Sequence, residues 1–305
     1  MFFFGMGGSA LGAHCFSSIY KKDLKLPAEI VNDYDAPGMV DRDTLAIAVS
    51  YSGGTEETLS ALRAAHKRGA KLVVVTSGGE LARYAGANKI PALIFKINNN
   101  PCGSPRMGLG YTTFGPLLIL SKLGLLKISI AQIKEAVAVV RRCQDSFGTG
   151  NNGGQNAAKL FAGNLLTGNV WFVGAEHLSG NVHIAANQLN ENAKRFGGYF
   201  LIPELNHHLL EGLSFPAGGP GTFVFIESSK YSPRVQKRFA VTKEILKKSK
   251  LSYISYQCSE QKALLQSMEI LVLSSYLSFY LAILEGIDPT AIPTVNFLKS
   301  ALKKS

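Results

Sequence analysis

The sequence predicts an α/β protein of two domains, each a mostly parallel β-sheet flanked by helices as an α-β-α sandwich. Its 305 residues exceed what one hydrophobic core usually fills, because cores divide at about 250–300 residues. Short apolar runs alternate with helical stretches, a pattern typical of parallel sheets whose strands are joined by helices. With 46% hydrophobic and 17% charged residues, the chain has enough apolar material for two packed cores.

Six apolar runs predict strands, and they are FFF (2–4), LAIAVS (45–50), KLVVVT (71–76), VWFVG (170–174), TFVFIE (222–227) and LSYISY (251–256). A helix is predicted from Thr55 to Arg68, between the second and third runs. Residues 144–155, QDSFGTGNNGGQ, concentrate Gly and Asn between two periodic halves, as an interdomain connection does. The predicted domains are therefore residues 1–143 and 156–305.

A faint internal repeat supports two copies of one unit. The segments beginning LAIAVSYSGGTEE and TFVFIESSKYSPR share the order strand, serine-rich turn, helix, strand. The first turn contains Gly53 and Gly54, whereas the second has Lys230 and Pro233. Because glycine lets a ligand approach the backbone closely, only the first copy is predicted to hold one.

Cysteine, histidine and hydropathy patterns exclude several classes of protein. The four cysteines are far apart and form no CxxC pair, which argues against a zinc ribbon or a disulfide framework and predicts a reducing, cytoplasmic setting. The six histidines show no HExxH or comparable spacing, so we expect no metal and no cofactor. The opening MFFF is too short for a signal peptide. The apolar run 270–284 is shorter than the ~20 residues of a membrane span and contains serines, which predicts a buried helix.

The net charge of +11 suits either a small anionic substrate or nucleic acid. It is spread evenly, with +6 in residues 1–150 and +5 in 151–305. A nucleic-acid surface could be built from the lysine-rich stretch 230–250. That stretch is more simply a solvated amphipathic helix, whose apolar residues would cover a sheet: Val235, Phe239, Val241, Ile245 and Leu246.

Two glycine turns follow predicted strands and open predicted helices. They are Gly5-Met6-Gly7-Gly8-Ser9 and Ser50-Tyr51-Ser52-Gly53-Gly54-Thr55. Hydroxyls and the first N–H groups of a helix converge in such turns, and these groups can bind a phosphate. For the turn 50–55, the alternative is an ordinary helix start with Thr55 as its N-cap. Both turns should lie at the carboxyl edge of one sheet, where ligands of open parallel sheets bind. Neither matches a dinucleotide or P-loop motif, so a small phosphate ester fits best.

Several segments together resemble the bifunctional phosphoglucose/phosphomannose isomerases, proteins of two SIS (sugar isomerase) domains. The segments are GMGGS (5–9), SYSGGTEET (50–58), SPRMGLGY (104–111), QLNENAK (188–194), ELNHH (204–208) and FLKSAL (297–302). The resemblance covers nearly the whole chain, except that family members usually carry a helical stretch before the first turn. It implies interconversion of glucose 6-phosphate and fructose 6-phosphate, and of mannose 6-phosphate as well, by proton transfer through a cis-enediolate after ring opening.

Carried onto this chain, the resemblance implies two sets of site residues. The phosphate ligands would be Gly8, Ser9, Ser50, Ser52 and Thr55, and the groups around the sugar would be Arg106, Glu191, His207 and Lys299. A carboxylate can carry the proton between C2 and C1, which is the role of Glu191; the alternative is a solvated acid paired with Arg195. A fixed guanidinium, Arg106, would stabilise the enediolate; the alternative is a surface arginine holding a loop carbonyl.

Ring opening needs a group that titrates near neutrality, and the resemblance assigns it to His207 rather than to its neighbour His208. Lys299 would assist in ring opening or hold sugar hydroxyls. Alternatively, Lys299 belongs to a solvated helix face with Lys303 and Lys304.

Assembly and a rival function complete the expectations. The apolar helix 264–284 offers more hydrophobic surface than one sheet face covers, which predicts a two-fold homodimer; the alternative is a helix fully buried within its domain. The resemblance adds that His207 reaches the Glu191 of the neighbouring subunit. It also makes Thr290 and Thr294 candidates for shaping the site for both epimers.

The rival function is a non-catalytic sugar-phosphate sensor. We find no helix-turn-helix segment of the kind such sensors carry, and we expect neither nucleic acid nor a membrane as a partner.

Overall fold

Two parallel β-sheets, one in each half of the chain, form the framework of the computed structural model, which describes residues 1–151, 154–214 and 221–302. The first half contains β1 (Phe2–Phe4), α1 (Gly8–Ile19), β2 (Glu29–Val31), β3 (Leu45–Ser50), α2 (Glu56–Lys67), β4 (Lys71–Thr76), α3 (Gly79–Ala87), β5 (Ala92–Ile94), α4 (Leu109–Lys122) and α5 (Ile130–Phe147). The second half contains α6 (Ala157–Asn164), β6 (Val170–Ala175), α7 (Ser179–Asn192), β7 (Gly197–Ile202), α8 (Leu205–His208), β8 (Thr222–Glu227), α9 (Pro233–Lys248), β9 (Tyr253–Gln257), α10 (Ala263–Leu284) and α11 (Pro293–Leu302).

The strand order is β2-β1-β3-β4-β5 in the first sheet and β7-β6-β8-β9 in the second, and all neighbouring strands are parallel. The predicted α/β architecture is confirmed, and the six predicted strands correspond to β1, β3, β4, β6, β8 and β9. The apolar runs did not predict β2, β5 and β7, which are all edge strands. Edge strands need no continuous apolar run, because one side faces solvent; β5 is exposed along its whole length and β7 opens with two glycines.

The internal repeat is confirmed by matching connections in the two halves. The first helix begins four residues after its strand in both copies, from Phe4 to Gly8 and from Ala175 to Ser179. The β3–α2 and β8–α9 connections also have equal lengths. Because the strand orders match as well, β1 corresponds to β6 and β3 to β8.

Helix α1 joins the two halves through backbone contacts that only glycine permits. A Cβ added at Gly180 would lie 2.5 Å from the Cα of Cys15, and one at Gly12 would lie 2.1 Å from the carbonyl oxygen of Thr112. Helix α1 therefore lies directly against α7 of the second half and α4 of the first. The Cys15 Sγ also lies 3.1 Å from the Ser267 Oγ on α10. This packing brings the carboxyl edge of the first sheet against the second half.

Helix α10 is the central core helix of the second half. By length and composition it is the one helix, among the residues described, that could cross a membrane. Two-thirds of its most apolar window is buried inside the protein, as expected for a core helix, and only Ile283 and Leu284 are exposed large apolar residues on it. The expectation that α10 supplies a large uncovered surface is therefore wrong. Helix α11, in contrast, has no buried residue, and its exposed large apolar residues are Val295, Phe297, Leu298 and Leu302.

Helix α5 ends inside the predicted interdomain connection, and residues 152–153 of that connection lie outside the described residues. Its buried residues Ala136, Val139, Cys143 and Phe147 join the hydrophobic core of the second half. The boundary at 144–155 remains a prediction, and α5 packs across it.

The lysine-rich stretch forms the amphipathic helix α9. Val235, Phe239 and Leu246 are buried, as expected. Val241 is 44% exposed, contrary to the prediction, and Thr242 is buried in its place. Thr242 can be buried because its hydroxyl donates to the Arg238 carbonyl at 2.7 Å.

Candidate active site

The two glycine turns lie side by side at the carboxyl edge of the first sheet, because β1 and β3 are neighbours. Gly7 and Gly53 have φ angles of 47° and 69°, in the left-handed region that favours glycine. The Tyr51 N–H donates to the Ser9 Oγ at 2.9 Å and ties one turn to the other. The predicted meeting of the turns is therefore observed.

Hydroxyl groups line this pair of turns, which we call the hydroxyl cradle (Gly5–Ser9 and Ser50–Thr55). The Ser50 Oγ lies 2.9 Å from the Thr55 Oγ1 and accepts from the Gly53 N–H at 3.1 Å. Although Thr55 occupies the N-cap position of α2, its side chain makes no capping hydrogen bond. The first N–H groups of α2 therefore remain available to an anion. Ser52 is exposed at the surface of the cradle, whereas Ser9 and Ser50 are buried.

The turn that carries Arg106 rests directly on the cradle. A Cβ added at Gly8 would lie 2.7 Å from the Arg106 backbone nitrogen, and one at Gly108 would lie 2.1 Å from the Tyr51 ring. Asn100 donates from Nδ2 to the Tyr51 hydroxyl at 2.8 Å, and burial raises the pKa of that phenol. Backbone contact, not a flexible side chain, thus sets the position of Arg106 relative to the cradle.

The Arg106 side chain is 1% exposed and every one of its nitrogens donates a hydrogen bond. Nε donates to Asn192 Oδ1 at 2.6 Å, and Nη1 donates to Glu191 Oε2 at 3.2 Å. Nη2 donates to the carbonyl oxygens of Pro289 and Thr290 at 2.9 and 3.1 Å. A guanidinium held at all three nitrogens cannot turn away from Glu191, which makes it a fixed positive charge beside that carboxylate. Arg106 is therefore not at the surface, as the alternative had it, although it does hold two loop carbonyls.

Glu191 occupies the last turn of α7 and its side chain is 32% exposed. Among the residues described, Oε2 accepts from Arg106 and no hydrogen bond of Oε1 is found. The alternative pairing with Arg195 is wrong, because Arg195 forms its ion pair with Glu285. Arg195 also donates to the Leu166 carbonyl at 2.7 Å, which draws it away from Glu191.

His207 is not brought to Glu191 within one chain. It lies on α8, just after the carboxyl end of β7, whereas Glu191 precedes the amino end of the same strand. The six residues of β7 separate those two ends by roughly 17–20 Å, at about 3.3 Å per residue. The His207 side chain is exposed and has no hydrogen-bond partner among the residues described, whereas His208 pairs with Glu204.

Lys299 is likewise outside the cluster around Arg106. It lies on the exposed helix α11, and no hydrogen bond or ion pair of its side chain is found in the described part of the chain. Lys303 and Lys304, its partners in the solvated-face alternative, lie outside the described residues. Of the candidate catalytic residues, the single chain therefore brings together Arg106 and Glu191.

The corresponding site in the second half is filled by the protein itself. Glu176, which takes the place of Gly5 after the equivalent strand, has a φ of 43°. Its two carboxylate oxygens accept from the Ser232 N–H at 3.2 and 3.1 Å, at the start of α9. A carboxylate thus occupies the position where an anion would bind, and Pro233 lacks an N–H donor. Of the two copies, the first is therefore the one that leaves its turn open.

Two buried amides that hold Arg106 were not predicted from the sequence. Gln188 Nε2 donates to the Arg106 carbonyl at 3.1 Å, and Asn192 Nδ2 donates to the Ser278 Oγ at 3.0 Å. Both amides lie in the QLNENAK segment, one helical turn apart on α7, so their spacing could have predicted a polar face turned inward. Within the described residues, no three His, Cys, Asp or Glu side chains are close enough to hold a metal ion.

Comparison with known proteins places the chain in a family. Residues 1–93 match the SIS domain, and residues 154–302 match the bacterial phospho-glucose isomerase C-terminal SIS domain. The chain is 31% identical to a bifunctional phosphoglucose/phosphomannose isomerase of Caldicellulosiruptor bescii, over 98% of this chain and 88% of that one. It is also 31% identical to the protein of the same name from Aquifex aeolicus, over 99% and 90%.

A solved structure shares the fold at lower identity. The glucosamine-6-phosphate deaminase of Thermotoga maritima superposes with a TM-score of 0.68 and 18% identity, covering 96% of this chain and 88% of that one. The two SIS matches agree with the two parallel sheets. The 31% identity to these relatives extends over nearly the whole chain. The chain thus belongs to the bifunctional phosphoglucose/phosphomannose isomerase family, and it is built of two SIS domains.

Proposed function

We propose that this protein is an aldose–ketose isomerase that interconverts glucose 6-phosphate and fructose 6-phosphate and also accepts mannose 6-phosphate. The observation that carries the proposal is the Arg106–Glu191 pair, fixed beside a hydroxyl cradle through the contact of Gly8 with Arg106. The proposed phosphate site and the carboxylate base thereby lie at adjoining positions, as a phosphorylated sugar requires. The names of the full-length relatives agree with this assignment.

The hydroxyl cradle would bind the phosphate of the substrate. Ser52 and Thr55 offer hydroxyls at its surface, and Ser9 and Ser50 shape it from below. The N–H groups at the start of α2 add the positive end of the helix dipole. Binding energy at the phosphate would then orient the sugar toward Glu191.

Glu191 would act as the base that takes the proton from C2 and returns it to C1. Its unbonded Oε1 is available for the proton, while Arg106 holds Oε2. As the cis-enediolate develops negative charge, the buried guanidinium stabilises it without having to reorganise. Because glucose 6-phosphate and mannose 6-phosphate differ at C2, both yield the same enediolate, and Thr290 beside Arg106 is a candidate for shaping that space.

His207 and Lys299 would open the sugar ring in a site shared by two subunits. The separation of His207 from Glu191 along β7 supports this proposal, since one chain alone cannot join them. The exposed apolar residues of α11 offer surface for a second copy, and Lys299 lies on the same helix. We therefore propose a homodimer in which His207 of the partner subunit faces Glu191.

A coupled assay with a chelator present tests the function. We expect turnover of fructose 6-phosphate and mannose 6-phosphate, no turnover of fructose without its phosphate, and no loss of rate on chelation. Loss of rate on chelation would contradict the proposed metal-independent proton transfer. Binding of the phosphosugars without any turnover would instead indicate the non-catalytic sensor. A cytoplasmic location, with neither nucleic acid nor membrane as a partner, forms part of the same proposal.

A further inference from the structure

Lys194 lies at an unusual backbone position at the end of α7. Its φ is +51°, a left-handed conformation in which glycine is the usual residue after a helix. The Arg195 N–H reaches back to the Leu189 carbonyl at 3.4 Å, which closes the helix end around Lys194. A lysine at this position carries a conformational cost that glycine would avoid.

The side chain of Lys194 turns back toward the site. Its Nζ donates to the Asn192 carbonyl at 3.1 Å and to the Asp288 carbonyl at 2.7 Å. Asn192 is also the residue whose side chain accepts from Arg106 Nε. Burial, together with the nearby Arg106 charge, lowers the pKa of Lys194, while Asp288 and Glu191 act in the opposite direction. The ammonium group is thus within the electrostatic reach of both residues of the candidate catalytic pair.

Arg106 and Lys194 hold three successive carbonyl groups of one segment. This segment, residues 285–292, connects α10 to α11 and is called the connector here. Lys194 binds the carbonyl of Asp288, and Arg106 binds those of Pro289 and Thr290. The Thr290 N–H donates in turn to Asp288 Oδ1 at 2.8 Å. Two cations beside Glu191 therefore determine the path of the chain leading to the helix that carries Lys299.

We propose that Lys194 is a positioning residue for the isomerase reaction, which holds the connector against Arg106 and so keeps Thr290 and α11 in register with Glu191. The proposal rests on the function proposed above. It requires no contact of Lys194 with the substrate, because the amine is already engaged with two carbonyl groups. Removal of the amine should therefore affect the reaction more than the binding of phosphate.

Lys194→Gly tests this role with a matched control. Glycine suits the left-handed backbone, so the substitution removes the amine without adding strain. Lys250 follows α9 with a similar φ of +56°, is exposed, and has no side-chain hydrogen bond among the residues described. We expect Lys194→Gly to lower kcat about tenfold, the effect of losing a hydrogen bond from a charged donor. Lys250→Gly should keep wild-type kcat, and competitive inhibition by inorganic phosphate should be unchanged in both variants.

Two further measurements separate positioning from general stability. Lys194→Arg, which restores a cation, should recover part of kcat. Hydrogen exchange of the peptide covering residues 286–296 should be faster in Lys194→Gly than in wild type and unchanged in Lys250→Gly. Equal kcat in Lys194→Gly and wild type, or equal loss in both glycine variants, would overturn the proposal. The exchange measurement needs no turnover, so an inactive wild type would reject the proposed function while the exchange rates still decide whether Lys194 holds the connector.

Discussion

The Nη1 of Arg106 lies 3.2 Å from Glu191 Oε2, although the two residues are 85 positions apart in the sequence. Arg106 comes from a turn packed on the first sheet, and Glu191 comes from the end of a helix of the second half. The reacting centre of the proposed isomerase is therefore assembled at the junction of the two halves, where substitutions in either half should alter it.

Replacing Glu191 with Gln should abolish turnover while leaving substrate affinity nearly unchanged. The amide cannot accept the C2 proton, whereas the hydroxyl cradle is untouched; loss of a general base typically costs about 10²–10⁴-fold in rate. Steady-state kinetics with fructose 6-phosphate, together with direct binding of the substrate, would measure both effects. Glu244→Gln on the exposed face of α9 serves as the control. If Glu191→Gln retains most of its kcat, the base lies elsewhere.

Gly8→Ala should disturb the site through the backbone contact with Arg106. The added Cβ would lie 2.7 Å from a backbone nitrogen, so the Arg106 turn must shift. We expect a loss of stability of about 1–3 kcal/mol, as for other overpacked sites, and a lower kcat/KM. Gly110→Ala is the matched control, because its Cβ would meet no atom within 4 Å. Equal thermal stability and activity in the two variants would show that the contact is unimportant.

Ser52→Ala and Thr55→Val should raise KM for the phosphosugars. Both changes remove hydroxyls of the cradle without altering Glu191, and kcat should fall only if phosphate binding also orients the sugar. Inorganic phosphate should compete with substrate in the wild type and compete less well in the variants. If inorganic phosphate does not inhibit the wild type, and the wild type also accepts fructose without its phosphate, the hydroxyl cradle does not bind the phosphate of the substrate.

Mixed dimers of two inactive chains should recover activity. In a dimer of Glu191→Gln with His207→Ala, one shared site collects both lesions and the other collects both intact residues. With random pairing, roughly a quarter of the wild-type activity should return for a symmetric dimer. The measurement is the activity of the co-expressed chains before fractionation. Mixed dimers purified through two different tags should show about half of the wild-type activity, because one of their two sites is intact. Verified mixed dimers without activity would exclude a shared site and leave the isomerase assignment open.

Acidification should destabilise the packing of α1 against α7. His14 and His183 face each other across these helices with ring centroids 4.7 Å apart, and burial lowers the pKa of both, that of His14 to about 4. Since the unfolded chain binds these protons near pH 6.5, the neutral histidines favour the folded state fully above that pH. The contribution should be lost between pH 6.5 and about 4, by up to about 3 kcal/mol for His14.

Chemical denaturation across this pH range would measure the loss. His14→Gln should flatten the dependence of the unfolding free energy on pH, because a neutral amide does not titrate. His66 on α2 lies outside this pair, so His66→Gln should retain the wild-type slope. An unchanged slope in His14→Gln would show that this histidine does not control acid stability.

Features that depend on neighbouring residues could be predicted from the sequence. Strands such as LAIAVS and the glycine turns that follow them are local patterns, and the shared order of strand, turn, helix and strand reveals the internal repeat from the residues alone. The difference between Gly53-Gly54 in the first turn and Lys230 with Pro233 in the second was likewise sufficient to predict which copy can approach a phosphate. The roles of Glu191 and His207 came from the resemblance of whole segments to a family, not from spacing alone.

Which charged groups meet, in contrast, depends on the packing of the two halves. The sequence offered Arg195, four residues on, as an alternative partner of Glu191, yet the packing pairs Glu191 with Arg106 and Arg195 with Glu285. Packing likewise pairs Glu176 with the Ser232 N–H at the start of α9, and it pairs Lys194 with the Asp288 carbonyl of the connector. A charged side chain on a helix can reach several partners, and the pairing is settled by which backbone segments the cores bring together, at separations that no local pattern records.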